Sequence, residues 1–276
     1  MIVSRQKKTC FFPIIGGKFN LLKTLIPLIP PHKIYVEVFG GAGSLLLNKS
    51  PSRVEVFNDA DGELVNLFLV VRDYPRDFVK RFRLMLYSRE IYKRWAKEPF
   101  PNNPVERAVR FYYLMRSSFS GLHDGGWKYN PSRNVAKTFF RSLKMIPLIS
   151  RRLRNVQIEH LDFKECLKRW DRSDTFFYLD PPYYGLQYYR LKFLEKDHRD
   201  LRETLGKTKG KWLLTYNDHP KIRKMYSKYI IKEVEMPKTA PLKREGEKRN
   251  SFKNLIITNY RLFKTNKSTM EGKGTE

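Results

Sequence analysis

The stretch TFFYLDPPYYG, Thr175 to Gly185, runs five mostly apolar residues into Asp180, two prolines and two tyrosines. A carboxylate at the end of a buried strand, held by Pro181 and Pro182 and followed by flat rings, has the parts to grip one small planar amine. Asp180 can accept one N–H, the Pro181 carbonyl can accept a second, and the Tyr183 ring offers a face for stacking. The fixed φ of two consecutive prolines holds the carbonyl direction without help from side-chain order. An amine nitrogen that attacks an electrophile becomes more tetrahedral and develops positive charge, and two such acceptors would stabilise that change. The plain structural alternative is a strand end capped by an aspartate, with the tyrosines packed as a lid.

A second cluster lies in VEVFGGAGSLLLNK, where Gly40, Gly41 and Gly43 follow an apolar run and are expected to lead into a helix. Glycines at such a turn let backbone amides approach a ligand that any Cβ would exclude. The dinucleotide fingerprint requires a third glycine where Leu46 stands, and no G-K-S/T follows, so nicotinamide, flavin and P-loop readings are disfavoured. The next apolar run ends at Asn58-Asp59, which puts a carboxylate where an adenosine ribose would offer two hydroxyls. A helix N-cap is the alternative role for Asp59. Together the turn and the acid indicate an adenosine compound without a phosphate cradle, and S-adenosylmethionine (SAM) is the obvious one.

These groups need a frame, and the sequence supplies one. Seven short β-type runs begin near Lys33, Arg53, Val156, Thr175, Lys211, Ile230 and Asn254. Most are near-continuous in Val, Ile, Leu and aromatics, as strands buried on both faces should be. Helical patterns lie between several of them, such as ELVNLFLVVRD and DHRDLRETLGK. The predicted class is therefore α/β, an open sheet with ligands at the carboxyl ends of its strands. From about Gly62 to Asn155 no strand is expected. Helices such as PVERAVRFYYLMRSSF and a polar stretch, SGLHDGGWKYNPSRN, suggest an inserted, mostly helical domain. Its Arg110, Arg116, His123, Trp127, Lys128, Tyr129, Arg133 and Lys137 suit contacts to phosphates and bases, although Trp127 and Tyr129 also suit a core. The segment from about Lys238 to Asn250 is expected to be a mobile loop and the tail from 263 to be disordered.

Composition fits this reading. The 276 residues include 55 Lys+Arg against 28 Asp+Glu, a formal net charge of +27. That field attracts a polyanion over long range, and nucleic acid is the first candidate; a Lys-rich surface serving solubility is the alternative. The two cysteines, Cys10 and Cys166, make no disulfide framework and lack zinc spacing, so no metal is expected and a reducing compartment is. The greasiest segment, FNLLKTLIPLIPP, is short and interrupted, which argues against a signal peptide or membrane span. A soluble, cytoplasmic protein is expected.

Several motifs together carry a family resemblance. IIGGKF, EVFGGAGS, FNDADGELVN, YLMRSSFSG, LDF, YLDPPYYG, LLTYNDHPKIRKMY and LIITNY occur in the order seen in Dam-type DNA N6-adenine methyltransferases, over about residues 12 to 260. The resemblance implies a seven-stranded, Rossmann-like SAM-dependent methyltransferase sheet with an inserted helical target-recognition domain. The expected division is 1–65 for the cofactor half, 66–155 for the DNA-binding insertion, 156–262 for the catalytic half and 263–276 for the tail. It further implies Lys18 near the methionine end of SAM, Phe39, Gly41 and Gly43 as the cofactor loop, and Asp59 at the ribose. Asp162 and Phe163 resemble the pair that reads the cofactor adenine, and Asp180 also borders the cofactor. The family often has an aromatic residue four positions before the lysine. Ile14 stands there, with Phe11 or Phe12 as substitutes.

On this reading Asp180, Pro181, Pro182 and Tyr183 receive an adenine that must leave the duplex to react, because its amino group is paired and stacked. Double-stranded DNA is then the partner, with Arg116, Ser120, His123, Lys128, Arg133 and Lys137 as contact candidates. Ser120 replaces the asparagine of well-known GATC enzymes, so the target site stays open. A restriction endonuclease of the same system is a further candidate partner, and a phage or plasmid origin is open. Cytosine-N4 methylation, RNA adenine methylation and a catalytically idle DNA-binding homologue remain alternatives. A glutamine methyltransferase normally begins the motif with Asn, and +27 does not suit a protein substrate.

Overall fold

The structure is a computed structural model that describes residues 9–13, 16–121, 126–186, 190–237 and 251–262. The segments expected to be a mobile loop (238–250) and a disordered tail (263–276) lie outside the described residues. The seven predicted strands form: β1 (Ile34–Glu37), β2 (Val54–Asn58), β3 (Val156–Glu159), β4 (Thr175–Leu179), β5 (Lys211–Asn217), β6 (Ile230–Pro237) and β7 (Ser251–Thr258). They make one sheet in the order β3-β2-β1-β4-β5-β7-β6. β3, β2, β1, β4 and β5 are parallel, and β7 runs antiparallel between β5 and β6.

The helices are α1 (Leu22–Leu25), α2 (Gly62–Asp73), α3 (Pro75–Lys80), α4 (Arg89–Lys97), α5 (Pro104–Ser117), α6 (Val135–Leu143), α7 (Ile146–Leu153), α8 (Phe163–Trp170), α9 (Glu195–Lys207) and α10 (Pro220–Met225). Strand alternation feeds two apolar layers. Tyr35, Phe57, Phe176, Tyr178 and Leu213 face the N-terminal segment, α2, α5, α6 and α7. Val36, Val56, Phe177, Leu179 and Trp212 face α8, α9 and α10. The period-2 alternation of side chains thus buries every residue of β4.

Strand order reverses direction between β1 and β4, the crevice where open α/β sheets bind ligands. Glu37 pairs with Tyr178, and the Val38 N–H donates to the Tyr178 carbonyl at 3.0 Å, so the two strand ends are flush. The glycine turn and Asp180 therefore emerge side by side.

All of α2 to α7 lies between β2 and β3, with one isolated bridge, Ser118 to Trp127, among its described residues. The described apolar residues of these helices share one buried cluster with a face of the sheet. Phe68 of α2 stacks on Phe57 of the sheet at 3.9 Å, and Tyr112 of α5 lies 5.8 Å from Phe11. The expected start of the insertion at 66 falls inside α2. A buried ion cluster also ties its end to the sheet: Arg152 donates to both oxygens of Glu55 (2.5 and 2.8 Å), and Lys49 donates to Oε1 at 2.5 Å. Sharing one carboxylate between two cations keeps the buried charges paired.

Candidate active site

Asp180 follows directly on β4, with its side chain 18% exposed. Its Oδ1 accepts from Lys18 Nζ at 2.5 Å and from Thr215 Oγ1 at 2.7 Å. Lys18 is 2% exposed and also donates to the Gly16 carbonyl at 2.7 Å. These bonds fix the carboxylate plane, while Oδ2 and the Pro181 carbonyl accept nothing among the described residues. The turn itself is clamped by Asn217: the Tyr184 N–H donates to its Oδ1 at 3.0 Å, and its Nδ2 returns a bond to the Tyr184 carbonyl at 3.1 Å. Tyr183 departs from expectation. Its ring is 8% exposed and packed under β5, so in this conformation it offers an incoming base little free surface.

Gly41 and Gly43 have φ of 51° and 63°, the left-handed region that disfavours side chains. A Cβ on Gly40 would sit 2.2 Å from the Phe57 ring, whereas one on Gly41 would meet nothing within 4 Å. The expected helix after these glycines does not form, and residues 44–48 make a run of turns. The Leu47 and Lys49 N–H groups still reach the carbonyls four residues back, but the Asn48 side-chain amide takes the Ser44 carbonyl at 2.8 Å and the Asn48 N–H turns to Leu45 instead, so the coil does not propagate. Glu37 Oε2 accepts the Leu46 N–H and the Tyr35 hydroxyl, each at 2.8 Å, which ties the turn to β1. Burial pushes the Glu37 carboxyl up to about 8, against the pull of the Tyr35 and Leu46 hydrogen bonds, with Asp180 adding to the rise and Lys49 opposing it.

The cleft above these strand ends has a volume of about 610 Å³ and is lined by Lys18, Gly41, Asp59, Asp162, Phe163 and Asp180 among others, a size suited to one nucleoside-like ligand. Asp59 accepts from the Gly41 and Asp61 N–H groups at 2.9 Å each. Asn58 joins the turn after β1 to the one after β3, donating to Val38 and Leu161 carbonyls at 2.9 and 3.1 Å. Asp162 caps α8 through the Lys164 N–H at 2.9 Å. Phe163 stacks on Phe39 at 5.8 Å and 28°. The donor set fits an adenosine carrying a sulfonium: an open glycine for close approach, a carboxylate for hydroxyls and an aromatic wall for the base. Phe11 and Phe12, offered above as substitutes, are buried in the core instead, Phe11 against Phe68, Tyr112 and Phe12; Ile14 lies outside the described residues.

Burial pushes the Asp59 carboxyl up to about 6, opposed by the Asp61 and Gly41 N–H groups, raised further by Asp61's charge and lowered by His160. Hydroxyl donors prefer the ionised carboxylate. Affinity for S-adenosylhomocysteine (SAH) should therefore hold well above pH 6 and fall below it, by about fivefold between pH 6 and 5 and towards tenfold per unit below that. Isothermal titration across that range checks this, and Asp59→Asn should bind weakly with that dependence gone.

In the inserted helices, Arg116 sits near the Tyr112 ring (5.9 Å), and burial together with Arg116 lowers the pKa of Lys128. Among the described residues neither cation has a carboxylate partner. Arg133 and Lys137 are exposed at the start of α6. His123 and the side chain of Ser120 lie outside the described residues. Arg110 is not free for phosphate, because it donates to the Trp95 and Pro99 carbonyls at 2.9 and 2.7 Å. Trp127 packs on the core, while Tyr129 is 65% exposed and stacks on it, with the Arg89 guanidinium 5.0 and 5.5 Å from their rings. Arg89, Glu37, Thr215 and Asn217 were not singled out in the sequence; a lone polar side chain in an apolar strand is the signal that marks the last three.

Comparison with known proteins adds to this geometry. Residues 15–239 match the D12 class N6 adenine-specific DNA methyltransferases. The type II methyltransferase M1.LlaDCHI of Lactococcus lactis subsp. cremoris is 27% identical over 270 residues, covering 89% of this chain and 93% of its own. The DNA adenine methylase of Haemophilus influenzae is 25% identical, covering 91% and 94%. The type II methyltransferase M.CviBI of Paramecium bursaria Chlorella virus NC1A is 26% identical, covering 89% and 97%. A match running from the Lys18 segment through the glycine turn, the inserted helices and the Asp180 strand end leaves one conclusion: the chain belongs to the D12 class N6 adenine-specific DNA methyltransferase family, SAM-dependent enzymes.

Proposed function

We propose that this chain methylates the N6 amino nitrogen of an adenine flipped out of duplex DNA at a specific site. The observation that carries the residue roles is Asp180, one oxygen held by Lys18 and Thr215 and the other without a partner among the described residues, beside an adenosine-sized cleft. When bound, SAM supplies a methyl carbon activated by a sulfonium.

The N6 nitrogen is a weak nucleophile because its lone pair is delocalised into the ring. Asp180 Oδ2 and the Pro181 carbonyl take its two N–H groups and stabilise the tetrahedral, positively charged nitrogen as it forms. Asp180 then accepts the proton that transfer has made acidic. Lys18 and Thr215 aim the carboxylate, and Pro182 lines the approach. Stacking of the base on Tyr183 requires that ring to be uncovered when DNA binds. Lys18 together with Phe39, Gly41, Gly43, Asp59, Asp162 and Phe163 holds the cofactor.

The inserted helices (66–155) supply the DNA surface. Arg116 and Lys128, which have no carboxylate partner among the described residues, offer two cations for phosphate, Arg133 and Lys137 extend them, and the Arg89–Trp127–Tyr129 stack adds a base- or sugar-facing shelf. The type II names of two relatives support a restriction endonuclease as a partner in the same system. Among the described residues no helix is long and apolar enough to cross a membrane. A monomer working at the nucleoid is the reading we favour, with a viral or plasmid source consistent with the Chlorella virus relative.

The test is product analysis. Purified protein, duplex DNA and labelled SAM should yield N6-methyladenine at one sequence context. N4-methylcytosine, product from RNA only, or SAM binding without product would overturn the proposal.

A further inference from the structure

We infer that Arg190 and Asp61 form a latch that retains the cofactor, which makes Arg190 a positioning residue of the cleft. The inference rests on the assignment of that cleft to SAM and its product SAH. Arg190 Nη1 donates to Asp61 Oδ1 at 3.1 Å and lies 3.4 Å from Oδ2. The two residues belong to opposite walls: Arg190 follows the Asp180 turn, and Asp61 is the N-cap of α2, accepting the Glu63 N–H at 3.0 Å. Both line the cleft, as do Leu191, Lys192 and Phe193.

The segment 190–193 is therefore fastened at two ends by different forces. At one end Phe193 packs on Phe39 and Phe163, each with ring centroids 5.7 Å away, inside the aromatic wall. At the other end stands the ion pair, with side chains 37% and 21% exposed, and the guanidinium also lies 5.7 Å from the Phe100 ring of the inserted region. Packed aromatic clusters hold while solvent-reached ion pairs exchange with water, so the segment opens at Arg190 and pivots at Phe193. On this reading SAH leaves past this wall, and wall opening of this kind commonly limits product release. A cation at this point also offsets Asp61, whose charge otherwise bears on Asp59.

The test is a chase: labelled SAH bound to the full-length protein is displaced by excess unlabelled SAH, and the dissociation rate is read. Arg190→Ala should speed release roughly two- to fivefold, as expected for loss of a partly exposed ion pair. Arg190→Lys should restore most of the retention. Asp61→Asn keeps the capping oxygen and should show the same acceleration, and the double variant should be no faster than either single one. Raising salt should speed release from the wild type and leave Arg190→Ala nearly unchanged. Unchanged release in the single variants overturns the latch, as does an acceleration in Arg190→Ala that Asp61→Asn does not share. Weaker duplex binding by Arg190→Ala with unchanged SAH release would instead assign the guanidinium to the DNA backbone. A failure to find N6-methyladenine leaves these rates measurable, so the two readings fail separately.

Discussion

Replacing Asp180 by alanine should slow methyl transfer by about two to three decades while duplex DNA binding stays within a few-fold of wild type. The size follows from the role. A charge-assisted hydrogen bond contributes about 1.5–3 kcal/mol, and one that strengthens as the nitrogen becomes cationic contributes at the upper end. Alanine also strands the Lys18 ammonium, which is 2% exposed and would keep only the Gly16 carbonyl. An unpaired buried cation costs stability, so Asp180→Asn is the cleaner variant. Asparagine can still accept from Thr215 and Lys18, but it lacks the charge and its amide nitrogen cannot accept from N6. Single-turnover transfer by Asp180→Asn, with an unchanged melting temperature, should fall nearly as far as in the alanine variant. Near-normal transfer by the asparagine variant would reduce Asp180 to a capping role.

DNA affinity should collapse with salt. A chain of net charge +27 facing a duplex releases counterions for each phosphate it neutralises. If about 6–10 phosphates are contacted, affinity should drop by about 10³–10⁵ between 50 and 200 mM salt. Fluorescence anisotropy with a labelled duplex gives the slope directly. Arg116→Ala and Lys128→Ala should each lower that slope by about one, because both cations lack an acid partner among the described residues and are available to phosphate. Arg110→Ala should lower it by nothing, since that guanidinium is spent on backbone carbonyls. A shallow slope in the wild type would mean that the excess charge serves the surface and not a polyanion.

These expectations trace unevenly to the sequence. The seven strands were readable because parallel strands buried on both faces leave near-continuous apolar runs, as in TFFYL and KWLLTY. The glycine turn, Asp59 and Asp180 were readable because each stands where an apolar run stops. What could not be read is pairing over distance. Nothing in the local sequence links Lys18 to a carboxylate 162 positions away, or sets Thr215 behind the same oxygen. The helix expected after Gly43 shrinks to turns, because the Asn48 side chain takes the Ser44 carbonyl that a helix would bond to the Asn48 N–H. Arg110 looked like a phosphate ligand because a helix face does not disclose which neighbour covers it. A long strand-free interval likewise does not disclose where its apolar faces pack: Phe68 stacks on Phe57 of the sheet and Tyr112 meets Phe11 of the N-terminal segment.

The central claim is that Asp180 and the Pro181 carbonyl hold the reacting amine between them. The most direct measurement is a crystal structure with a duplex containing the target site and a cofactor analogue that cannot donate a methyl group. The expected result is the extruded adenine with N6 within hydrogen-bond distance, about 2.7–3.2 Å, of Asp180 Oδ2 and of the Pro181 oxygen. An adenine seated elsewhere, with Asp180 still bonded only to Lys18 and Thr215, would contradict it.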